Sequence, residues 1–191
     1  MKNSKEVKLN PIIISSERIS LEPVSIAGLS DFHEYSVYPE LYKYLEFSPF
    51  QSLKESETYL QKLIDRSETP FAQYWFIKLN KNDKVIGSFG MHSLDVYRKS
   101  VEIGYGISPN YWGKGYFNEV LKTATEYIFN DLDLRRIVAR TAVLNNASIR
   151  GLEKLGFLKE GIMREYYRDV DGKWFDAILM AKINKDSEKC L

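Results

Sequence analysis

One cysteine and two histidines in 191 residues leave little from which to build a disulfide framework or a thiolate- or imidazole-based metal site. Cys190 stands second from the end, in a charged tail, where it fits no prenylation box and makes a poor nucleophile for a covalent acyl-enzyme. His33 and His92 have no ligand partners nearby in sequence, so no metal is expected; only His92, at a strand end, is placed to approach the substrate end of a cleft. No apolar run nears the roughly 20 residues that cross a bilayer, so no membrane association is expected. The start, Met1-Lys2-Asn3-Ser4-Lys5-Glu6, leads into no apolar signal core. Charge of one sign is missing too: 27 Lys and Arg against 26 Asp and Glu give +1, which supplies no global field for nucleic acid. No repeat, low-complexity segment or linker divides the chain. What is present, 44% apolar and 28% charged residues, is ordinary for a folded protein. The expectation is a soluble, cytoplasmic, single domain over 11–184, between loose tails at 1–10 and 185–191.

Ile12-Ile13-Ile14 and Ile19, Leu21, Val24 read as an opening strand or strand pair with a break at Glu17-Arg18. Gly28 interrupts a weakly patterned helix over 26–38. Ser52 to Glu55 forms a capping box for a helix over 53–66, in which Tyr59, Leu60, Leu63 and Ile64 recur at helical spacing. Strands follow at Tyr74–Leu79, Val85–Met91 and Val101–Ile107, then a helix over 114–131, a strand at Ile137–Val143 and a helix over 146–155. Two strands, Phe157–Arg168 and Trp174–Ile183, close the chain around Asp171-Gly172. The order predicts a mixed α/β domain with parallel pairing in the middle and antiparallel pairing on either side.

In Val101-Glu102-Ile103-Gly104-Tyr105-Gly106-Ile107 the odd positions are apolar and the even ones are Glu, Gly and Gly. One strand face is therefore almost bare, which fits either a close approach to its backbone or a bulge and a tight helix contact. Ser108-Pro109 breaks the strand, and Trp112-Gly113-Lys114-Gly115-Tyr116 leads into a helix whose Phe117, Val120, Leu121, Ala124, Tyr127 and Ile128 share one face. Glycines at a helix start leave its first amides uncovered, and with the dipole behind them these suit a phosphate or pyrophosphate; Lys114 adds charge. The string is neither a phosphate-binding loop of the nucleotide hydrolases nor a dinucleotide fingerprint, and a purely structural turn is the other reading. Further on, Asn145 caps a helix that Gly156 ends, and Asn145 and Ser148 fall at the exit of the neighbouring strand, where open α/β sheets hold ligands.

The segments E-I-G-Y (102–105), W-G-K-G-Y (112–116) and N-x-x-S with E-K-L-G-F (145–157) resemble the GNAT superfamily of acyl-CoA-dependent acetyltransferases. More narrowly they resemble its ribosomal-protein N-terminal acetyltransferase (RimJ/RimL-like) branch, with echoes at S-E-R-I-S-L-E-P (16–23), E-G-I-M-R (160–164) and D-G-K-W-F-D (171–176). The resemblance runs in order over about residues 12–183. It implies a mixed central sheet flanked by helices and splayed between its fourth and fifth strands, with acetyl-CoA in the gap. The backbone of Tyr105, Gly106 and Ile107 would pair with the pantetheine arm. The loop Trp112, Gly113, Lys114, Gly115, Tyr116 and Phe117 would wrap the pyrophosphate, Asn145 would bond the pantetheine, and Ser148 would lie near the sulfur.

Three positions depart from the superfamily pattern. Trp112 and Phe117 take the first and last places of the loop, and Phe117 crowds the helix start. Leu152 occupies the place of the tyrosine that protonates the departing thiolate in many members. Leu21-Glu22-Pro23 replaces the usual L-R-P. Within this frame an amine must be neutral to attack, and Glu102 is the candidate base; the alternative is a structural ion pair with Arg98 or Arg140. Ser148 is the candidate acid, directly or through water, or else a hydroxyl bonded to its own backbone; a thiol of pKa near ~8.5 needs only weak protonation. An amide near Tyr105 would polarise the thioester carbonyl. Aromatic stretches at 35–47 and 166–167 are read as core or cleft wall. The resemblance implies direct acetyl transfer to a protein N-terminus or a small amine, by a monomer or homodimer. A non-catalytic acyl-CoA-binding module on the same fold is the alternative.

Overall fold

The computed structural model describes residues 11–185; the expected tails, apart from Lys185, and Cys190 lie outside the described residues. Eight strands form one sheet in the order β1 (Ile14–Ser15), β2 (Ile19–Pro23), β3 (Gln73–Leu79), β4 (Val85–Asp95), β5 (Ser100–Ile107), β6 (Arg136–Ala142), β8 (Trp174–Ile183) and β7 (Leu158–Arg168). Only the β5–β6 pair is parallel. The helices are α1 (Leu29–Ser36), α2 (Pro39–Tyr42), α3 (Leu53–Ser67), α4 (Tyr116–Glu126) and α5 (Asn146–Lys154).

Strand alternation sorts the apolar residues into two cores. Trp75, Ile77 and Leu79 of β3 join Val120, Leu121, Ala124 of α4 and Ile149, Leu152 of α5 on one face. Tyr74 and Phe76 of the same strand join Phe32 and Tyr35 of α1 and Leu60 and Leu63 of α3 on the other. Ser52 caps α3 by accepting the Glu55 amide at 3.2 Å, while the Glu55 carboxylate reaches the amide of Gln51, one residue short of the reciprocal bond the capping box predicts.

The helix expected over 26–38 is instead a 3-10 turn, Ile26–Gly28, followed by α1. Gly28 marks a close approach: a Cβ there would fall 2.3 Å from Cε2 of Phe76. Pro39 at the first turn then starts the short α2, which the aromatic run hid from periodicity. The expected helix 114–131 begins at Tyr116, because Gly113 and Gly115 take φ of 72° and 83°, and its last turn widens to a π-turn over Tyr127–Asp131. The opening strand pair is β1 and β2, so the splay expected after the fourth strand falls after the fifth of eight.

That splay is visible in the ladder. β5 and β6 pair from Ser100↔Arg136 to Ile103↔Ala139 and no further, although β5 runs to Ile107 and β6 to Ala142. Beyond that point each strand keeps only its outer partner: Ile107 opposes Gly87 of β4, and Ala142 opposes Ala177 of β8. The wedge between them opens at the carboxyl ends of two parallel strands, where α4 and α5 also begin. Gly28→Ala is expected to cost about 1–3 kcal/mol by overpacking the 3-10 turn before α1 against Phe76. Urea denaturation checks this, and Phe76→Leu in the same chain should recover part of the loss.

Candidate active site

A cavity of about 790 Å³ occupies the outer part of the wedge. Its floor is the loop from Trp112 to Phe117, and its geometry follows from two left-handed glycines. A Cβ on Gly113 would meet nothing within 4 Å, so the main chain there is bare. Gly115 is the N-cap of α4 with no side-chain cap, which leaves the helix's first amides uncovered by side chains of the chain itself. Arg18 braces the loop from behind: its guanidinium donates to the Lys114 carbonyl at 3.1 Å and to the Glu119 carboxylate at 2.6 Å, and lies 4.7 Å from the Tyr116 ring centre. Glu119 is thereby held ionised, below the usual glutamate range, its hydrogen bonds outweighing the cost of burial. The Trp112 indole donates to the Ile107 carbonyl at 2.7 Å, closing the loop onto the end of β5. Lys114 is not part of the cavity lining; its ammonium donates to the Asn110 carbonyl at 2.8 Å. The basic residues on the lining are Lys43, Arg150 and Lys154, none of which stood out in the sequence.

The open edge of β5 forms one wall. An added Cβ at Gly87 would fall 2.3 Å from the Gly106 carbonyl oxygen, so that carbonyl points at β4. Alternation then turns the N–H and C=O of Tyr105 and Ile107 toward the gap left by β6. Gly106 contributes bareness rather than hydrogen bonds there; a Cβ on it would sit 3.4 Å from Leu41 of α2.

A second cavity, about 230 Å³, lies deeper along the bare face of β5. Tyr44, Leu45, Tyr105, Asn145 and Ser148 line both cavities and so form the throat between them. Asn145 caps α5 by accepting the Ser148 amide at 3.2 Å, which uses its oxygen and leaves its NH₂ to be offered outward. The Tyr105 hydroxyl lies 2.8 Å from the Ser148 hydroxyl. Burial pushes the Tyr105 phenol well above its ordinary range, so it stays protonated. Its ring is braced by Phe117, 4.7 Å away between centres. Phe117 does not fill the notch it was expected to crowd, because its ring settles over Gly151 of α5, where a Cβ would be only 2.1 Å from it. Leu152 is fully buried in the core and lines neither cavity.

Glu102 lines the inner cavity with Arg140, His92 and Tyr167. The Arg140 guanidinium bonds both the Glu102 carboxylate and the Tyr166 hydroxyl, so the ion pair read as one alternative is present, with Arg140 as the partner; Arg98 pairs with Asp95 instead. Burial raises the Glu102 pKa above its ordinary value, against the lowering by Arg140. His92 stands directly across the β4–β5 ladder from Glu102. Burial, then the charges of Arg66 and Arg140, pull it down to about 4, so it is neutral at pH 7. Of the aromatic stretch, Tyr35 and Tyr42 are core, while Tyr44 and Phe47 reach the inner cavity.

The structure thus gathers Tyr105, Gly106, Ile107, Trp112, Gly113, Gly115, Tyr116, Phe117, Asn145 and Ser148 around one cavity and Glu102 around the next, with Lys114 outside. The side chain of Tyr105 and the pair Phe117–Gly151 escaped sequence reading. The parity of β5 held the signal for Tyr105, since its odd positions face the helices, but the residue passed as one more apolar position.

The profile of the acetyltransferase (GNAT) domain family matches residues 18–158. The chain belongs to that family and is by class an N-acetyltransferase. Among curated relatives, the uncharacterized N-acetyltransferase p20 of Bacillus licheniformis is 30% identical over 171 residues, covering 90% of this chain and 96% of its own. Spermidine N(1)-acetyltransferase of Vibrio cholerae is 24% identical, over 91% of this chain and 99% of its own. The [ribosomal protein uS5]-alanine N-acetyltransferase of Escherichia coli is 36% identical over 84 residues, 44% of this chain and 43% of its own. Mycobacterium smegmatis RimJ, solved in complex with CoA-disulfide, shares the fold at a TM-score of 0.83 with 19% identity, over 94% of this chain and 90% of that one. GNAT acetyltransferases draw their acetyl group from acetyl-CoA.

Two outcomes follow from this geometry. Between pH 6.5, the ordinary histidine value, and about 4 the unfolded chain binds a proton at His92 that the folded chain refuses, so stability falls as pH drops through that window. His92→Gln is expected to flatten this part of a thermal-midpoint-against-pH curve. Gly151→Ala should force Phe117 out of its seat and destabilise the α4–α5 contact by about 1–3 kcal/mol, with Phe117→Leu in the same chain restoring most of it in a denaturant titration.

Proposed function

We propose that this protein moves the acetyl group of acetyl-CoA directly onto a primary amine, either a protein N-terminus or a small amine. The observation that carries the reading is the pair of cavities meeting at Tyr105, Asn145 and Ser148, where β5 and β6 part. The outer cavity fits the carrier: bare main chain at Gly113, the uncovered start of α4, the free edge of β5 and a basic rim match pyrophosphate, pantetheine and phosphate in turn. The inner one is left for the acceptor. Relatives named for spermidine and for ribosomal protein uS5 span both acceptor classes.

In this reading the amides of the β5 edge polarise the thioester carbonyl, and the Asn145 carboxamide steadies the pantetheine. Glu102 takes the proton that frees the amine. Arg140 bonds its Oε2, leaving Oε1 as the receiving oxygen, and opposes the rise in pKa that burial causes. Ser148 supplies a proton to the departing sulfur. The two roles weighed for Glu102, ion-pair member and base, are compatible in this arrangement.

Purified protein with acetyl-CoA and a panel of peptide and alkyl amines is expected to release CoA thiol with at least one acceptor; release no faster than hydrolysis across the panel, with tight acetyl-CoA binding by calorimetry, returns the non-catalytic reading. Glu102→Gln should lower kcat about 100-fold or more while acetyl-CoA affinity holds. The parent's kcat/KM should fall on acidification with a midpoint above 4.5, the ordinary glutamate value, because Glu102 must be ionised to act and burial raises its pKa. That limb should be absent in Glu102→Gln.

A further inference from the structure

We infer that Tyr105 is a positioning residue for the thiol-protonating step, its hydroxyl fixing that of Ser148 toward the throat between the two cavities. The inference rests on the acetyl-transfer reading above and adds the group that makes Ser148 competent.

Four observations converge on this pair. The hydroxyls are 2.8 Å apart, a full hydrogen bond. Both residues line the outer and the inner cavity, so the pair stands where a thioester passing from one to the other must lie. Leu152, at the position of the tyrosine acid in many family members, is sealed in the core and has no proton to give. Tyr105 is clamped by Phe117, which in turn needs Gly151 to seat itself, so the side-chain departure at 117 braces the phenol at 105.

The inference takes the phenol as the donor of this bond. Burial keeps it protonated at any working pH, and its hydrogen goes to Ser148 Oγ, 2.8 Å away. With one lone pair of Oγ so engaged, the serine's own hydrogen turns away from Tyr105. As the C–S bond breaks, its electron pair goes to sulfur and Ser148 passes its Oγ proton there. The serine regains a proton from the nitrogen, which sheds it on becoming an amide. Tyr105 ends the step as it began, protonated and neutral, and the charges balance.

A double-mutant cycle tests this. Tyr105→Phe, which keeps the ring and its contact with Phe117, is expected to lower kcat about tenfold with KM for acetyl-CoA within twofold and a thermal midpoint lowered by no more than the loss of one hydrogen bond. In Ser148→Ala the Tyr105→Phe change should have no further effect on kcat, since nothing remains to be positioned. If the two losses multiply, or if Tyr105→Phe raises KM and leaves kcat intact, the positioning role is wrong. If Ser148→Ala itself retains full kcat, the assignment of Ser148 fails while Glu102→Gln and thiol release still judge the transferase reading. Should Tyr105→Phe fold poorly, 3-fluorotyrosine at 105 provides the second variant: a more acidic phenol in the same place should change kcat in the parent and not in Ser148→Ala, and an equal change in both overturns the inference.

Discussion

The parting of β5 from β6 after Ile103 and Ala139 is the constraint on which the rest of this molecule depends. A parallel pair left unpaired over its last residues exposes main-chain donors and acceptors, which is costly unless something else satisfies them. Here the Ile107 carbonyl finds the Trp112 indole within the chain, while the Tyr105 groups and the Ile107 amide face an open channel. Each strand tolerates the separation because its outer ladder continues, β5 on β4 and β6 on β8. The wedge is therefore braced by a continuing ladder on both sides, and in the proposed reading the carrier takes the place of the missing strand between them.

One departure from the family pattern, Phe117, finds its counterpart once the side chains are in place. A phenylalanine at 117 crowds a helix start; a glycine at 151 on the facing helix removes the collision, and the ring then packs at a tilt against Tyr105. A leucine at 152 fills the core. A tyrosine hydroxyl does reach Ser148, from position 105 on the sheet. Phe117, Gly151 and Tyr105 thus form one packed contact at the α4–α5–β5 junction.

Much of this frame was legible in the sequence because it is written in backbone chemistry. Gly104, Gly106, Gly113 and Gly115 announce a bare strand face and a left-handed turn, and Asn145 and Gly156 bound their helix in the way short-range rules describe. What escaped was set by tertiary contact. Gly28 reads as a helix breaker until Phe76 is seen beneath it, and α2 is masked by aromatics that serve core and cavity wall at once. The cationic rim is contributed by Lys43, Arg150 and Lys154 from separate elements, while Lys114, the basic residue the motif singles out, spends its ammonium on the loop. Sequence distance carries no record of such convergence.

The inner cavity shows how one pair serves two ends. Burial pushes the Glu102 carboxyl up, toward its protonated form. Arg140 opposes that shift, and Tyr166 shares the guanidinium so that it is not drawn wholly onto the glutamate. The same arginine helps hold His92 neutral across the ladder. The interior of the acceptor cavity is thus close to electrically balanced, with its remaining carboxylate, Glu46, exposed at the rim. An ammonium entering it gains little from a compensated carboxylate and loses hydration, so the burial that raises Glu102 also favours surrender of the proton by the guest. In the proposed reaction, delivery of a neutral amine is then a property of the whole cavity, with Glu102 as the place where its proton would go.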